Sequence, residues 1–379
     1  MKLRLCIVAQ VCTIHAFYDN HIKLLATFFD IYIVTNIRES NEEEYLKSLP
    51  IQGYSSIPIE RKISVIKDIT ALLKLIKYMH YGNFDIVQTI TPKAGLIGML
   101  SAKIVNVRIR VHYFTGQVWA TKKGFNRFFL RKVDEFMNLL SSNILIDSFS
   151  QQQFLIRNSV TNATKSKVLG YGSISGVDVN KFNPSPIVKM KYRAELNLTN
   201  KFVFAFLGRL NRDKGLIELF QAFARLADEF KNAFLLLIGP NEEGEEFVSH
   251  LPLSLHENEN YKFYGATDTP ELILQAADVL CLPSYREGFG TSVIEAASLG
   301  LATICSDIYG LQDSMIDNFT GIKIKVKDTD ALYHAMKLYI SDSALVKEHG
   351  KNGRNRILEN FSSEKLSMEL LKYYRSLTD

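Results

Sequence analysis

Short apolar runs, four to seven residues long, recur along this chain, and helical patterns fill the intervals between them. Runs that short are buried strands, and strands that alternate with helices lie parallel in one layer. The first half holds such runs at 3–9, 30–35, 85–89, 107–113 and 143–146. The second holds them at 202–207, 233–238, 261–264, 278–282, 301–305 and near 322–326. Helical patterns fall at 19–28, 63–81, 92–105, from about 215, and at 270–277. Residues 10–17 read as a loop. The fold class is α/β with Rossmann-like layers, and 379 residues exceed one ordinary core. Gly, Ser and Pro cluster at 171–186, where the strand-helix rhythm pauses. That stretch is the expected linker between a first domain, 1–170, and a second, 187–360. A last helix occupies 361–379, with 362–377 as its helical pattern.

The most informative interval is 278–300. A buried strand, DVLCLP, leads into a turn, Glu287-Gly288-Phe289-Gly290, and then a helix from Thr291. The first amides of a helix have no internal partner and carry partial positive charge, so this arrangement binds anions. Thr291 and Ser292 add hydroxyl donors. Two carboxylates bracket the anion site, Glu287 on the loop and Glu295 one turn into the helix. A carboxylate in the helix body can accept two hydrogen bonds from a vicinal diol. One on the loop faces whatever lies beyond the anion.

The string EGFGTSVIE resembles the E-x7-E signature of retaining glycosyltransferases of family 4, which have the GT-B fold. Their second landmark is a Gly-Arg-Leu after the first strand of the same domain, followed by a Lys-Gly. Here Gly208-Arg209-Leu210 follows FVFAFL, and Lys214-Gly215 comes shortly after. The segment GVDVNKF is similar to the family's linker. The resemblance covers the second half well and the first more loosely. It implies two Rossmann-like domains facing a central cleft, with the last helix crossing back to the first. It also implies a nucleotide-sugar donor held by the second domain and an acceptor held by the first.

On that resemblance the donor-binding residues are Gly208, Arg209, Lys214, Gly265, Glu287, Gly288, Phe289, Gly290, Thr291, Ser292 and Glu295. Glu295 would hold the ribose hydroxyls, and Gly265 would neighbour the base. Glu287, His112, Arg209 and Lys214 are the catalytic candidates. Breaking the sugar–phosphate bond puts negative charge on the diphosphate, which Arg209, Lys214 and the helix amides can stabilise without a metal. His112 ends a strand, where ligands bind in open α/β sheets. A lone His is often structural, but the family places one there, reaching the donor sugar. The acceptor side is expected at His15, Thr115, Gly116 and Trp119. Relatives often carry paired glycines after the first strand, and residues 10–17 have none.

Composition excludes several classes. No apolar run reaches the roughly 18–20 residues of a membrane span. No zinc spacing, phosphate-binding loop or dinucleotide fingerprint is present. Asp328-Thr329-Asp330 spells the D-x-D of metal-dependent transferases, but it opens an amphipathic helix and reads as a cap. No metal or other cofactor is expected. Cys6, Cys12, Cys281 and Cys305 sit in or beside apolar strands and read as reduced core residues.

Residues 1–180 hold 22 Lys and Arg against 13 Asp and Glu, while the remainder is slightly acidic. A basic first half suits an anionic partner. With no nucleic-acid motif, a phosphorylated acceptor or an anionic membrane surface fits better than nucleic acid. KKGFNRFFLRK at 122–132 interleaves cations with phenylalanines, which can be core or can rest on lipid headgroups. Residues 63–81 carry the same ambiguity.

The chain also resembles bacterial enzymes that build O-antigen, capsule or glycoprotein glycans on polyprenyl diphosphate. That implies a UDP-sugar, an N-acetylhexosamine as the sugar, and a peripheral site at the cytoplasmic face of the inner membrane. Two other functions remain open at this point. One is a UDP-sugar epimerase on the same fold. The other is a non-catalytic glycan- or lipid-binding partner.

Overall fold

The computed structural model describes residues 2–60, 64–243 and 260–378, and it leaves the side chains of Val11 and Cys12 undescribed. The chain divides into two compact units, one of Met1–Gly176 with Ser363–Asp379, the other of Val177–Ser362. The crossing at Gly176–Val177 falls inside the stretch expected as the linker.

The first unit runs β1 (Leu3–Val8), α1 (Val11–Phe17), α2 (Asp19–Leu25), β2 (Phe29–Thr35), α3 (Ser40–Ser48), β3 (Gly53–Ser56) and α4 (Val65–Gly82). It continues with β4 (Ile86–Ile90), α5 (Pro92–Ile104), β5 (Ile109–Phe114), α6 (Gly124–Leu140), β6 (Asn143–Ile146), α7 (Phe149–Arg157) and β7 (Ser166–Val168). Its described strands form one parallel sheet in the order β3-β2-β1-β4-β5-β6-β7. Residues 10–17, expected as a loop, are mostly helix: Ile14 is fully buried, so this turn covers the end of β1. The helix expected from Ile63 begins at Val65, and Ile63 itself lies outside the described residues.

The second unit runs α8 (Pro186–Glu195), β8 (Phe202–Leu207), α9 (Leu216–Glu229), β9 (Ala233–Ile238), β10 (Tyr261–Gly265), α10 (Pro270–Ile273) and β11 (Val279–Leu282). Then come α11 (Thr291–Ser298), β12 (Ala302–Ser306), β13 (Gly321–Ile324), α12 (Thr329–Ser341) and α13 (Ser343–Asn360). The sheet is parallel in the order β10-β9-β8-β11-β12-β13. Every residue of β9 and β11 is buried, because helices cover both faces of a parallel sheet. Cys6, Cys281 and Cys305 are buried free thiols in these sheets.

The last helix, α14 (Ser363–Thr378), belongs to the first unit. Its Leu366, Leu370, Leu371 and Tyr374 join a core that includes Tyr18, Ile22, Leu25 and Phe29. His21 of α2 pins it: Nδ1 lies 2.7 Å from Ser367 Oγ and Nε2 lies 2.7 Å from Ile174 O. Burial pushes this imidazole down to about 4, so it stays neutral and can donate one bond and accept the other.

Candidate active site

In the second sheet the strand order reverses between β8 and β11. β9 and β10 lie on one side of β8, and β11 to β13 on the other. At such a point the loops leaving the carboxyl ends diverge and open a crevice where ligands bind. The loops in question are 208–215, after β8, and 283–290, after β11. Their backbones touch. Gly215 has φ +67°, and a Cβ there would lie 2.0 Å from Pro283 O. Tyr285 N donates to Asp213 O at 2.8 Å. A Gly215→Val variant is expected to lose on the order of 1–3 kcal/mol, from the left-handed backbone and the forced separation of the loops. Denaturant unfolding measures this, and unchanged stability would mean the loops do not depend on the contact.

Across this contact Lys214 Nζ lies 2.6 Å from Glu287 Oε1, with the two side chains only 14% and 13% exposed. Partial withdrawal from water strengthens the attraction. Glu287 is also backed by Gly310, where a Cβ would lie 2.1 Å from Glu287 O. Arg209 points elsewhere. Its Nη1 donates to both oxygens of Glu242 at 2.8 Å, and Asn211 Nδ2 donates to Glu242 Oε2 at 3.0 Å. The sequence reading passed over Glu242. Its place just beyond β9, at the same sheet edge, is the signal that could have found it.

Helix α11 starts at the end of the second loop. Gly290 caps it with φ +78°, a conformation that glycine adopts without strain. The amides of Thr291 and Ser292 have no hydrogen-bond partner among the described residues, and both residues are half-buried. Phe289 departs from expectation. Its ring is buried in the core, 5.6 Å from that of Phe361, so only its backbone faces the loop. Glu295 is half-buried, and burial pushes its carboxyl up to about 8; Lys181 opposes the shift and Glu271 adds to it. Lys181 and Glu271 are themselves 3.5 Å apart, and the sequence reading singled out neither. Gly208 and Gly288 lie on the two loops. Gly265 ends β10 with φ +90° and open space where a side chain would stand.

In the first unit His112 is buried on β5, and its Nδ1 lies 2.8 Å from Thr89 Oγ1 on the paired strand. Burial pushes the imidazole down to about 3, so it is neutral. His112, Thr91, Thr115, Gly116, Trp119 and Asp134 share the lining of a cavity of about 90 Å³. Trp119 is 1% exposed and donates from Nε1 to Asp134 Oδ2 at 2.7 Å. It is thus a wall of this cavity, on the side where the sequence placed the acceptor. Asp134 was not foreseen; burial pushes it up to about 7 against the bond from Trp119. Thr91, just before α5, has φ +73°, a strained conformation for a β-branched residue. His15 stands apart on α1, exposed, edge-on to Tyr45 at 4.9 Å.

Asp328 caps α12, with Oδ1 accepting from Ala331 N at 2.8 Å, while Asp330 pairs with Arg225. Among the described residues no three His, Cys, Asp or Glu side chains group as metal ligands would.

Comparison with known proteins agrees with this architecture. The profile of the family "Glycosyl transferases group 1" matches residues 188–356. The capsular polysaccharide biosynthesis glycosyltransferase CapM of Staphylococcus aureus is 31% identical over 348 residues, covering 92% of this chain and 90% of that protein. An Escherichia coli relative, UDP-Gal:alpha-D-GlcNAc-diphosphoundecaprenol alpha-1,3-galactosyltransferase, is 26% identical, covering 80% and 78%. A Campylobacter jejuni relative, N,N'-diacetylbacillosaminyl-diphospho-undecaprenol alpha-1,3-N-acetylgalactosaminyltransferase, is 24% identical, covering 88% and 89%. Among solved structures, Anabaena HepE in complex with UDP and glucose superposes with a TM-score of 0.82 at 18% identity, covering 99% of this chain and 100% of that one. That likeness fixes the fold as GT-B. With both sheets, the family profile and a full-length relative in agreement, this chain belongs to the group 1 glycosyltransferases.

Proposed function

We propose that this enzyme transfers a sugar, an N-acetylhexosamine by resemblance, from a UDP-sugar to a glycan linked to polyprenyl diphosphate, with retention of configuration. The reaction belongs to bacterial surface polysaccharide assembly and takes place at the cytoplasmic face of the membrane. Two relatives whose names state undecaprenyl-diphosphate-linked acceptors support the acceptor class, and one of these names a UDP-sugar donor. Among the described residues no helix is long and apolar enough to cross a membrane, which suits peripheral attachment.

The observation that carries the reading is the Lys214–Glu287 pair, set at the sheet's reversal point beside the start of α11. A diphosphate at the α11 amides would draw the Lys214 ammonium, and Arg209 from Glu242. Glu287 would then turn to the hydroxyls and the electron-poor ring of the sugar. The anomeric carbon–oxygen bond to phosphate breaks, and both of its electrons stay on that oxygen. The acceptor hydroxyl bonds to the anomeric carbon on the same face, and its proton passes to the departing diphosphate. No protein base is required. Glu295 holds the ribose diol, and neutral His112, with one ring nitrogen on Thr89, can donate or accept one further bond within the cavity of the first unit.

A thermal-shift screen of nucleotide sugars, followed by trials with polyprenyl-diphosphate glycans and NMR of the product anomer, tests this. An inverted product would overturn the retaining assignment. Rapid epimerisation of the donor without acceptor would overturn transfer itself. Activity is expected to survive EDTA, because cationic side chains and helix amides already serve the diphosphate. Loss on chelation, restored by Mg²⁺ or Mn²⁺, would contradict that.

A further inference from the structure

Helices α4, α5 and α6 lie side by side, α4 against α5 and α5 against α6. The chain leaves β5 at its carboxyl end and enters α6, and it leaves β3 likewise before α4. The first turns of α4 and α6 therefore stand at the carboxyl edge of the sheet, the edge where β5 delivers His112 and the 115–117 loop. Those turns carry large apolar side chains in solvent. On α4 they are Val65, Ile66, Ile69 and, one turn further in, Leu73; on α6 they are Phe125, Phe128 and Phe129. All seven are between 52% and 81% exposed. The rings of Phe125 and Phe129 stack outward at 6.3 Å. The phenylalanines that the sequence left undecided between core and surface are thus on the surface.

Cations frame this apolar edge. Lys74, Lys77, Lys122 and Lys123 are exposed and have no acidic partner among the described residues. The carboxylates on these two helices are already engaged: Asp68 with Lys93, Glu135 with Arg131 and Lys132, and Asp134, which is buried, with Trp119. The surface is therefore apolar at its centre and uncompensated positive at its rim. Amphipathic helices of this composition lie in the headgroup region of anionic bilayers, with apolar side chains inserted and cations on the phosphates. A second copy of this chain would bring two positive rims face to face, which charge repulsion disfavours.

We infer that the first turns of α4 and α6 form a two-helix lip that inserts into an anionic lipid surface, holding the His112 edge of the first unit at the bilayer. The inference deepens the proposed acceptor, since a polyprenyl diphosphate presents its phosphates at that depth, and it rests on that reading for its purpose.

The test uses the full chain and a variant carrying Ile66→Ser, Ile69→Ser, Phe125→Ser and Phe129→Ser. All four side chains are exposed, and a matched thermal melt confirms the fold. Sedimentation with phosphatidylglycerol vesicles is expected to be strong for wild type, weakened by salt, and at least tenfold weaker for the variant. Neither protein is expected to sediment with neutral phosphatidylcholine vesicles. The variant is also expected to lose transfer to a long-chain acceptor in vesicles while keeping it for a short-chain, water-soluble one. Equal sedimentation of both proteins, or none of either, overturns the lip. So does a wild-type dimer in size-exclusion that the variant lacks. If wild type sediments and the variant does so at least tenfold more weakly, but neither uses a polyprenyl diphosphate, the lip stands and the acceptor reading falls.

Discussion

Lys214→Ala is expected to lower turnover by about 10²–10³, the usual scale for removing one preorganised group that stabilises developing charge. Lys214 is already held within hydrogen-bond distance of Glu287 before any donor arrives. Its ammonium therefore loses little freedom when a diphosphate replaces the carboxylate, and such preorganisation gives electrostatic catalysis its size. Arg209→Ala is expected to fall by a similar factor, although Arg209 is 40% exposed and must leave Glu242 first. Glu242→Gln separates the two roles. It releases Arg209 without removing it, so donor affinity holds or improves while the Arg209→Ala variant fails. Steady-state kinetics with separate kcat and KM read all three. Near-normal kcat in both cation variants would remove them from the reaction.

If Glu295 holds the ribose as proposed, affinity for a UDP-sugar is expected to rise about tenfold per pH unit as the pH climbs from 6 toward 8, then level. The reason is Glu295, whose carboxyl burial pushes up to about 8 in the free chain. Two ribose hydroxyls are best accepted by the ionised form, so binding expels a proton below that value. The sign for stability is the opposite. A carboxyl whose folded pKa is raised stabilises the fold fully below the ordinary glutamate range, and that stability is lost as pH rises through 8, at about 1.4 kcal/mol per unit at most. Glu295→Gln removes both trends. Its melting temperature gains on wild type as pH rises, and its donor affinity no longer depends on pH. Titration calorimetry in buffers of different ionisation heat counts the expelled proton. A flat affinity profile in wild type would separate Glu295 from the ribose.

The strands at the centre of each sheet were legible because both their faces are buried, so the sequence there is an uninterrupted apolar run, as in FVFAFL. β3 and β7 were not. They are the edge strands, GYSS and SKV, with one side open and no apolar signature. The short helices α3 and α8 went unread for a related reason: one buries a single residue and the other none. In the candidate site, residue type and spacing sufficed for Glu287, Lys214 and the start of α11. Pairing did not follow from spacing. Lys214 and Glu287 are 73 residues apart and Arg209 and Glu242 are 33 apart, and only the folded sheet decides which cation meets which carboxylate. How Phe289 and Trp119 pack was not legible, because an aromatic beside a polar loop has the same local sequence whether its ring faces a ligand or the core.

Because α14 completes the first unit, the order in which this chain leaves the ribosome differs from the order in which its cores can close. The second unit is one continuous stretch and has all its strands once Ser362 has emerged. The first must wait for the final helix, although its other elements were made almost two hundred residues earlier. Until then Tyr18, Ile22, Leu25 and Phe29 lack the partners that α14 brings. A nascent chain of this kind carries an open apolar groove while the whole second unit is being made, the period in which chaperones are needed most. Losing α14 alone would injure a unit whose other elements were translated long before it.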